Sequence, residues 1–201
     1  MRVGLLGGTF DPIHNGHLAA AEAARRCAGL DEVLLVPAGR PPHKRGTHAP
    51  ARDRLEMCRL AARDIPGLRV WDVEVARPGL SYTVDTLLAF RSGRPQDIPY
   101  LLLGWDAARQ IRTWHDPVRL VALADMVIFS RPGLAAPAAA DLRAAGLDPE
   151  RVVLCLEPTP DVTATQVRRR AAQGRPLDGL VPPTVADYIA GHGLYRTRVR
   201  S

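Results

Sequence analysis

The sequence predicts an α/β fold, a Rossmann-like doubly wound parallel sheet in a single domain with a small C-terminal helical part. Three observations carry this. Short apolar runs at 3–6, 33–36, 70–75, 100–103, 126–129 and 152–156 alternate with helical patterns between most of them. Runs such as Tyr100-Leu101-Leu102-Leu103 are continuously apolar, as strands covered on both faces of a parallel sheet are, and right-handed crossovers then wind the chain both ways. Polar or glycine-bearing stretches follow four of these runs, at 7–9, 37–44, 78–83 and 104–106. In such sheets ligands bind beyond the strand C-termini, so these stretches are the candidate site segments.

The first strand leads straight into Gly7-Gly8-Thr9-Phe10-Asp11-Pro12-Ile13-His14-Asn15-Gly16-His17-Leu18. A glycine pair lets the chain turn sharply and brings backbone N–H groups close to a ligand, which a side chain would obstruct. The helix that runs on through Leu18 to Ala24 is predicted to begin near Asn15. His17 then lies in its first turn and His14 just before it, both beside the positive end of the helix dipole, where anions are favoured. A His-x-x-His pair can also be a metal site or two capping residues. No acid or third nitrogen lies at a helical offset, however, and neither alternative explains the glycines.

The second strand opens into Val36-Pro37-Ala38-Gly39-Arg40-Pro41-Pro42-His43-Lys44, where Lys44 is the only lysine among 27 Lys and Arg residues. A lysine is a compact point charge on a flexible stem, suited to following a phosphate as it moves. The third run, at 70–75, is read as a strand, and Ser81-Tyr82-Thr83-Val84-Asp85-Thr86 after it places Thr83 as the N-cap of a helix through Leu88. The fourth strand ends at Gly104-Trp105-Asp106. Asp116-Pro117 reads as an N-cap with proline at the first helical position, and Thr163 and Thr184 as caps of the last two helices. Pro132-Gly133 and Gly146 mark turns, and Ala135 to Ala145 is read as a surface helix with its approach. Residues 1–195 form the expected domain, and Arg196 to Ser201 a solvated tail.

With 201 residues, 46% of them hydrophobic, the chain can bury one good core and is short for two domains. A net charge of +6 suits acidic partners, but the cations are dispersed and aromatics make up only 5%, so nucleic acid is not an expected partner. No apolar run approaches a membrane span, and the N-terminus resembles no secretion signal. Cys27, Cys58 and Cys155 are odd in number and far apart, as reduced core thiols of a cytoplasmic protein would be. A homo-oligomer is left open.

On these residues the segment from Gly7 to Leu18 resembles the HxGH signature of the nucleotidyltransferase superfamily. Across nearly the whole chain before the Arg-rich tail, the sequence resembles bacterial nicotinate mononucleotide adenylyltransferases. The resemblance implies adenylyl transfer from ATP to nicotinate mononucleotide, with Mg²⁺ held mainly by ATP phosphates and no protein metal ligand. It implies that His14 and His17 contact the triphosphate, that Gly7, Gly8, Thr9 and Phe10 line it, and that Lys44 reaches it from the second loop. Val162-Thr163-Ala164-Thr165-Gln166-Val167-Arg168 resembles the second signature, Ile-Ser-Ser-Thr-x-Ile-Arg, in which Thr163, Thr165 and Arg168 would hold the outer phosphates. Here the chain departs from the pattern, since Ala164 lacks one hydroxyl while keeping its N–H. Ser81, Thr83, Val84, Trp114 and the His115 N–H would form the nicotinate pocket, and Gly104 with Asp106 the ribose contact. Trp105 is bulkier than the residue usual there. A sister transferase using another phosphate acceptor, and a nucleotide-binding regulator without turnover, remain the alternatives.

Overall fold

The computed structural model describes residues 1–42, 46–130 and 136–196. Six parallel strands form one sheet in the order β3-β2-β1-β4-β5-β6. Along the chain run β1 (Arg2–Gly8), α1 (Asn15–Cys27), β2 (Glu32–Pro37), α2 (Ala51–Ala62), β3 (Leu68–Val70), α3 (Val73–Ala76), α4 (Thr83–Gly93), β4 (Ile98–Gly104), α5 (Trp105–Ala108) and α6 (Pro117–Leu123). They are followed by β5 (Asp125–Phe129), α7 (Ala139–Ala145), β6 (Val152–Cys155), α8 (Ala164–Ala172) and α9 (Pro183–Gly191). The chain winds outward from β1 to β3, then returns to lay β4 on the other side of β1. That reversal opens a crevice beyond the C-terminal ends of β1 and β4, the place where open α/β sheets hold ligands.

Side chains alternate across the strands, so each face of the sheet seals its own apolar layer. Val3, Leu5, Leu34, Leu101, Leu103 and Ile128 pack against Leu87 and Phe90 of α4 and Leu120 of α6. Leu6, Leu35, Leu102 and Val127 face α1, α2 and α9, represented by Ala24, Met57 and Ile189. Each fully buried large side chain contributes about 1.5–3 kcal/mol, which is why two layers suffice to order the sheet. Gly4 has a packing reason, because a Cβ there would come within 2.8–3.0 Å of Leu30, Leu102 and Val33 side-chain carbons.

Several expectations are corrected. The run at 70–75 is a strand only to Val70, since β3 pairs with β2 over three residues and Val73–Ala76 coils into a helical turn. Its alternating pattern mimics a strand, but Glu74 is buried and hydrogen-bonded to Thr86 on a helical turn, and residues 78–83 follow that turn instead of a strand. Thr83 is the first residue of α4, with Tyr82 at the cap position. Thr184 lies inside α9, whose cap position is taken by Pro182. Asp116 and Thr163 do cap α6 and α8 through their side chains, and Gly146 ends α7 with φ of +88°. Pro132, Gly133, Ala135 and the tail from Thr197 to Ser201 lie outside the described residues. Among the described residues no helix is long and apolar enough to cross a membrane.

The thiol expectation is also overturned. Cys27 and Cys155 form a disulfide, with Cα atoms 5.7 Å apart, and only Cys58 is free, buried in the core. The two partners are 128 residues apart, but the last residue of α1 and the last of β6 meet where the helix crosses the sheet. Cross-linking so long a loop restricts the unfolded chain, so Cys27→Ser is expected to lower stability by about 2–4 kcal/mol under oxidising conditions. Urea unfolding with and without reductant checks this: the variant should match reduced wild type, and equal stability of oxidised and reduced wild type contradicts it.

Candidate active site

The loop after β1 is held from below by groups that were not apparent in the sequence. Arg54 of α2 is fully buried and donates to three backbone carbonyls: Thr9 at 2.6 Å, Gly39 at 3.0 Å and Ala49 at 3.3 Å. One guanidinium therefore joins the glycine loop to the loop after β2, a task its fixed planar fork suits. Burial lowers its pKa, with the Asp11 carboxylate opposing. The Asp11 carboxylate is itself engaged, accepting from His48 N at 2.6 Å, Ala49 N at 3.0 Å and the Tyr195 hydroxyl at 2.9 Å. Burial and that carboxylate push the Tyr195 phenol up, so it stays a donor. These networks lacked a sequence signal because their members lie on four separate segments.

His14 occupies the N-cap position of α1 and His17 its third residue, so the helix start falls as expected. The two rings stack at 3.6 Å, and the edge of Phe10 meets His17 at 5.0 Å. The His14 N–H donates to His17 Nδ1 at 3.3 Å. With Nδ1 accepting, the proton of the neutral His17 ring sits on Nε2 and makes that nitrogen a donor. His14 is buried, and its Nδ1 has no hydrogen-bond partner. Desolvation lowers its pKa to about 4, so the ring is neutral at pH 7.

A lowered histidine pKa has a defined sign in stability. Below pH 6.5 the unfolded chain takes up the proton that the folded ring refuses, so this contribution is complete above pH 6.5 and fades down to about pH 4. About 2–3 kcal/mol should be lost across that window. Comparing urea unfolding of wild type and His14→Gln at pH 7 and pH 4.5 checks it, because the variant should lack this part of the slope.

The second signature comes to the same place. Arg168 of α8 donates to the Asp11 carbonyl at 2.7 Å and to Thr165 Oγ1 at 3.1 Å, tying the two loops across 157 residues of chain. Thr163 Oγ1 accepts from Gln166 N at 3.1 Å. Of the neighbouring cations, Arg169 is exposed, whereas Arg170 braces the helix end on the Pro176 carbonyl.

A cavity of about 280 Å³ opens beyond β1, β2 and β4, lined by Gly7, Gly8, Thr9, Ser81, Thr83 and Trp114 among others. A smaller one of about 100 Å³ adjoins it and reaches His115. A Cβ at Gly7 would meet nothing within 4 Å, so the glycine borders open space, whereas one at Gly8 would press on the Phe10 ring. The structure differs from the simplest expectation at two residues. The side chains of Phe10 and Val84 are packed in the apolar layers, so only their backbone groups are placed to meet a ligand. His115 is exposed and stacks on Tyr82. Gly104 caps α5, where Asp106 is 3.5 Å from Arg109, and Trp105 packs onto the α4 layer. Lys44 lies outside the described residues, although Pro41 and Pro42 just before it border the cavity.

Known proteins match this arrangement along the chain. The cytidylyltransferase-like family model covers residues 5–170. A probable nicotinate-nucleotide adenylyltransferase of Roseiflexus sp. is 46% identical, over 96% of this chain and 98% of its own length. One from Thermus thermophilus is 44% identical, over 98% of this chain and all of its own. Among solved structures, a Plasmodium falciparum nicotinic acid mononucleotide adenylyltransferase complexed with NaAD superposes with a TM-score of 0.79, covering 96% of this chain and 97% of that one. At 19% identity it supports the fold.

Proposed function

Because the chain belongs to the cytidylyltransferase-like family, as one of its nicotinate-nucleotide adenylyltransferases, we infer that it transfers the adenylyl group of ATP to nicotinate mononucleotide. The products are nicotinate adenine dinucleotide and pyrophosphate, a step of NAD biosynthesis. The observation that carries this reading is the hydrogen bond from Arg168 to the Asp11 carbonyl, which ties the second signature to the loop whose Gly7, Gly8 and Thr9 line the cavity.

The acceptor phosphate has a second pKa near ~6, is largely ionised at neutral pH and requires no general base. Its oxygen attacks the α-phosphorus in line, and the bond to pyrophosphate breaks with the electron pair leaving on the pyrophosphate oxygen. The protein's task is positioning and donation to growing negative charge. His17, through Nε2–H, and His14 serve the α-phosphate side, with Thr9 and the N–H groups of Gly7, Gly8 and Phe10. Arg168 and the start of α8, with Thr163 and Thr165, serve the outer phosphates, and Lys44 completes the set. When bound with the triphosphate, Mg²⁺ would supply charge neutralisation, and no protein ligand is assigned to it. The Asp11 carboxylate, buried and already accepting three hydrogen bonds, fits that arrangement better than a protein cage.

On the acceptor side, the N–H groups of Thr83 and Val84 at the start of α4 suit a pyridine carboxylate, with Ser81 beside them and the His115 N–H opposite. Trp114 offers an indole face to the cationic ring, worth ~0.5–2 kcal/mol. Gly104 and Asp106 are assigned to the ribose by the family resemblance. A cytoplasmic setting, where ATP is abundant, belongs to the same reading. Mixing the protein with ATP, Mg²⁺ and nicotinate, nicotinamide or phosphopantetheine acceptors, and weighing the products by mass spectrometry, tests it. The deamido dinucleotide should dominate; a phosphopantetheine adduct alone, or ATP bound without any product, overturns it.

A further inference from the structure

Glu74 lines the 280 Å³ cavity yet has no part in the chemistry above. Its side chain is buried, and its Oε1 accepts from the Thr86 hydroxyl at 2.6 Å in a buried contact. The Ser81 hydroxyl hydrogen-bonds the same carboxyl. Ser81 Oγ in turn accepts from Gly39 N at 3.0 Å and Arg40 N at 3.2 Å, and Ser81 N donates to the Arg40 carbonyl at 2.9 Å. One carboxyl on α3 thus gathers the segment entering α4, its first turn, and the loop after β2. Thr83 and Val84 lie between the two hydroxyl residues it holds.

We propose that Glu74 is the positioning residue of the acceptor pocket, holding Ser81 and Thr86 so that the N–H groups at the start of α4 meet the pyridine carboxylate of the acceptor. The proposal rests on the nicotinate mononucleotide reading. Its physical ground is that a buried carboxyl is costly unless fully hydrogen-bonded, and here both partners are hydroxyls that border the ligand cavity. Burial pushes the Glu74 carboxyl up while Thr86, Ser81 and Arg77 pull it back, so the group is kept despite its desolvation. An apolar residue of similar size would fill the space and leave both hydroxyls to turn elsewhere.

The test compares Glu74→Ala, Glu74→Gln and Ser81→Ala in steady-state kinetics with each substrate varied in turn. Glu74→Ala should raise the KM for nicotinate mononucleotide by about 10- to 100-fold with the KM for ATP within about 3-fold of wild type. Glu74→Gln, which keeps an acceptor for Thr86, should recover most of the loss. If Glu74→Ala does not fold, Ser81→Ala should show the same one-sided rise in smaller measure. Equal rises for both substrates, or no change for the acceptor, overturn the proposal. Wild type failing to make the deamido dinucleotide overturns the functional reading instead, so the two failures are distinguishable.

Discussion

His17→Ala is expected to lower kcat by about 10²–10³-fold while the fold stays intact, the largest catalytic effect of any single change at the site. The ring's Nε2 carries the proton because Nδ1 accepts from the His14 N–H, so alanine removes a donor aimed by the helix start itself. A donor to charge that builds only in the transition state acts on kcat more than on KM, so ATP should still bind. Single-turnover product formation, with circular dichroism to confirm folding, measures it. Turnover at the wild-type rate removes His17 from the mechanism.

The largest effect on stability is expected at Arg54. Methionine there removes the Arg54 donor from the Thr9 and Gly39 carbonyls, leaves the Ala49 carbonyl with only the Thr47 hydroxyl, and deprives the Asp11 carboxylate of its nearby buried cation. Unsatisfied buried acceptors cost about 1–3 kcal/mol each, and partial relaxation brings the expected total to about 3–5 kcal/mol. For a chain of this length that lowers Tm by about 6–20 °C. Arg54→Lys keeps the charge but replaces the three-way fork with a point donor, so it should fall between the two. Calorimetry decides the matter, and an unchanged Tm for the methionine variant contradicts the bracing role. Since the Thr9 carbonyl belongs to the phosphate loop, the KM for ATP should rise in both variants.

Much of the site is visible in local spacing. Gly7 to His17 and Thr163 to Arg168 are each continuous segments at the start of one helix, where residue type and helix dipole act together over a single turn. The continuous apolar runs of β1, β2 and β4 likewise mark strands buried on both faces. Where local signals failed, a long-range contact had overruled them. Val70 to Val75 alternates like a strand, but Glu74 is drawn in by Thr86 and Ser81, and the chain coils after Val70. Cys27 and Cys155 look like isolated thiols until the crossing of α1 over β6 brings them together.

The sequence by itself determined the parallel α/β architecture and the family, and it marked the two segments proposed to hold phosphates. Each of these is written in contiguous residues whose periodicity or backbone chemistry needs no distant partner. Only the tertiary structure decided what holds the segments in register: Arg54 under two loops, Asp11 receiving Tyr195, Arg168 reaching across to the Asp11 carbonyl, and Glu74 behind the acceptor cavity. The reason is physical. A buried polar group is stable only when partners complete its hydrogen bonds, and those partners are chosen by proximity in space, which no local pattern encodes.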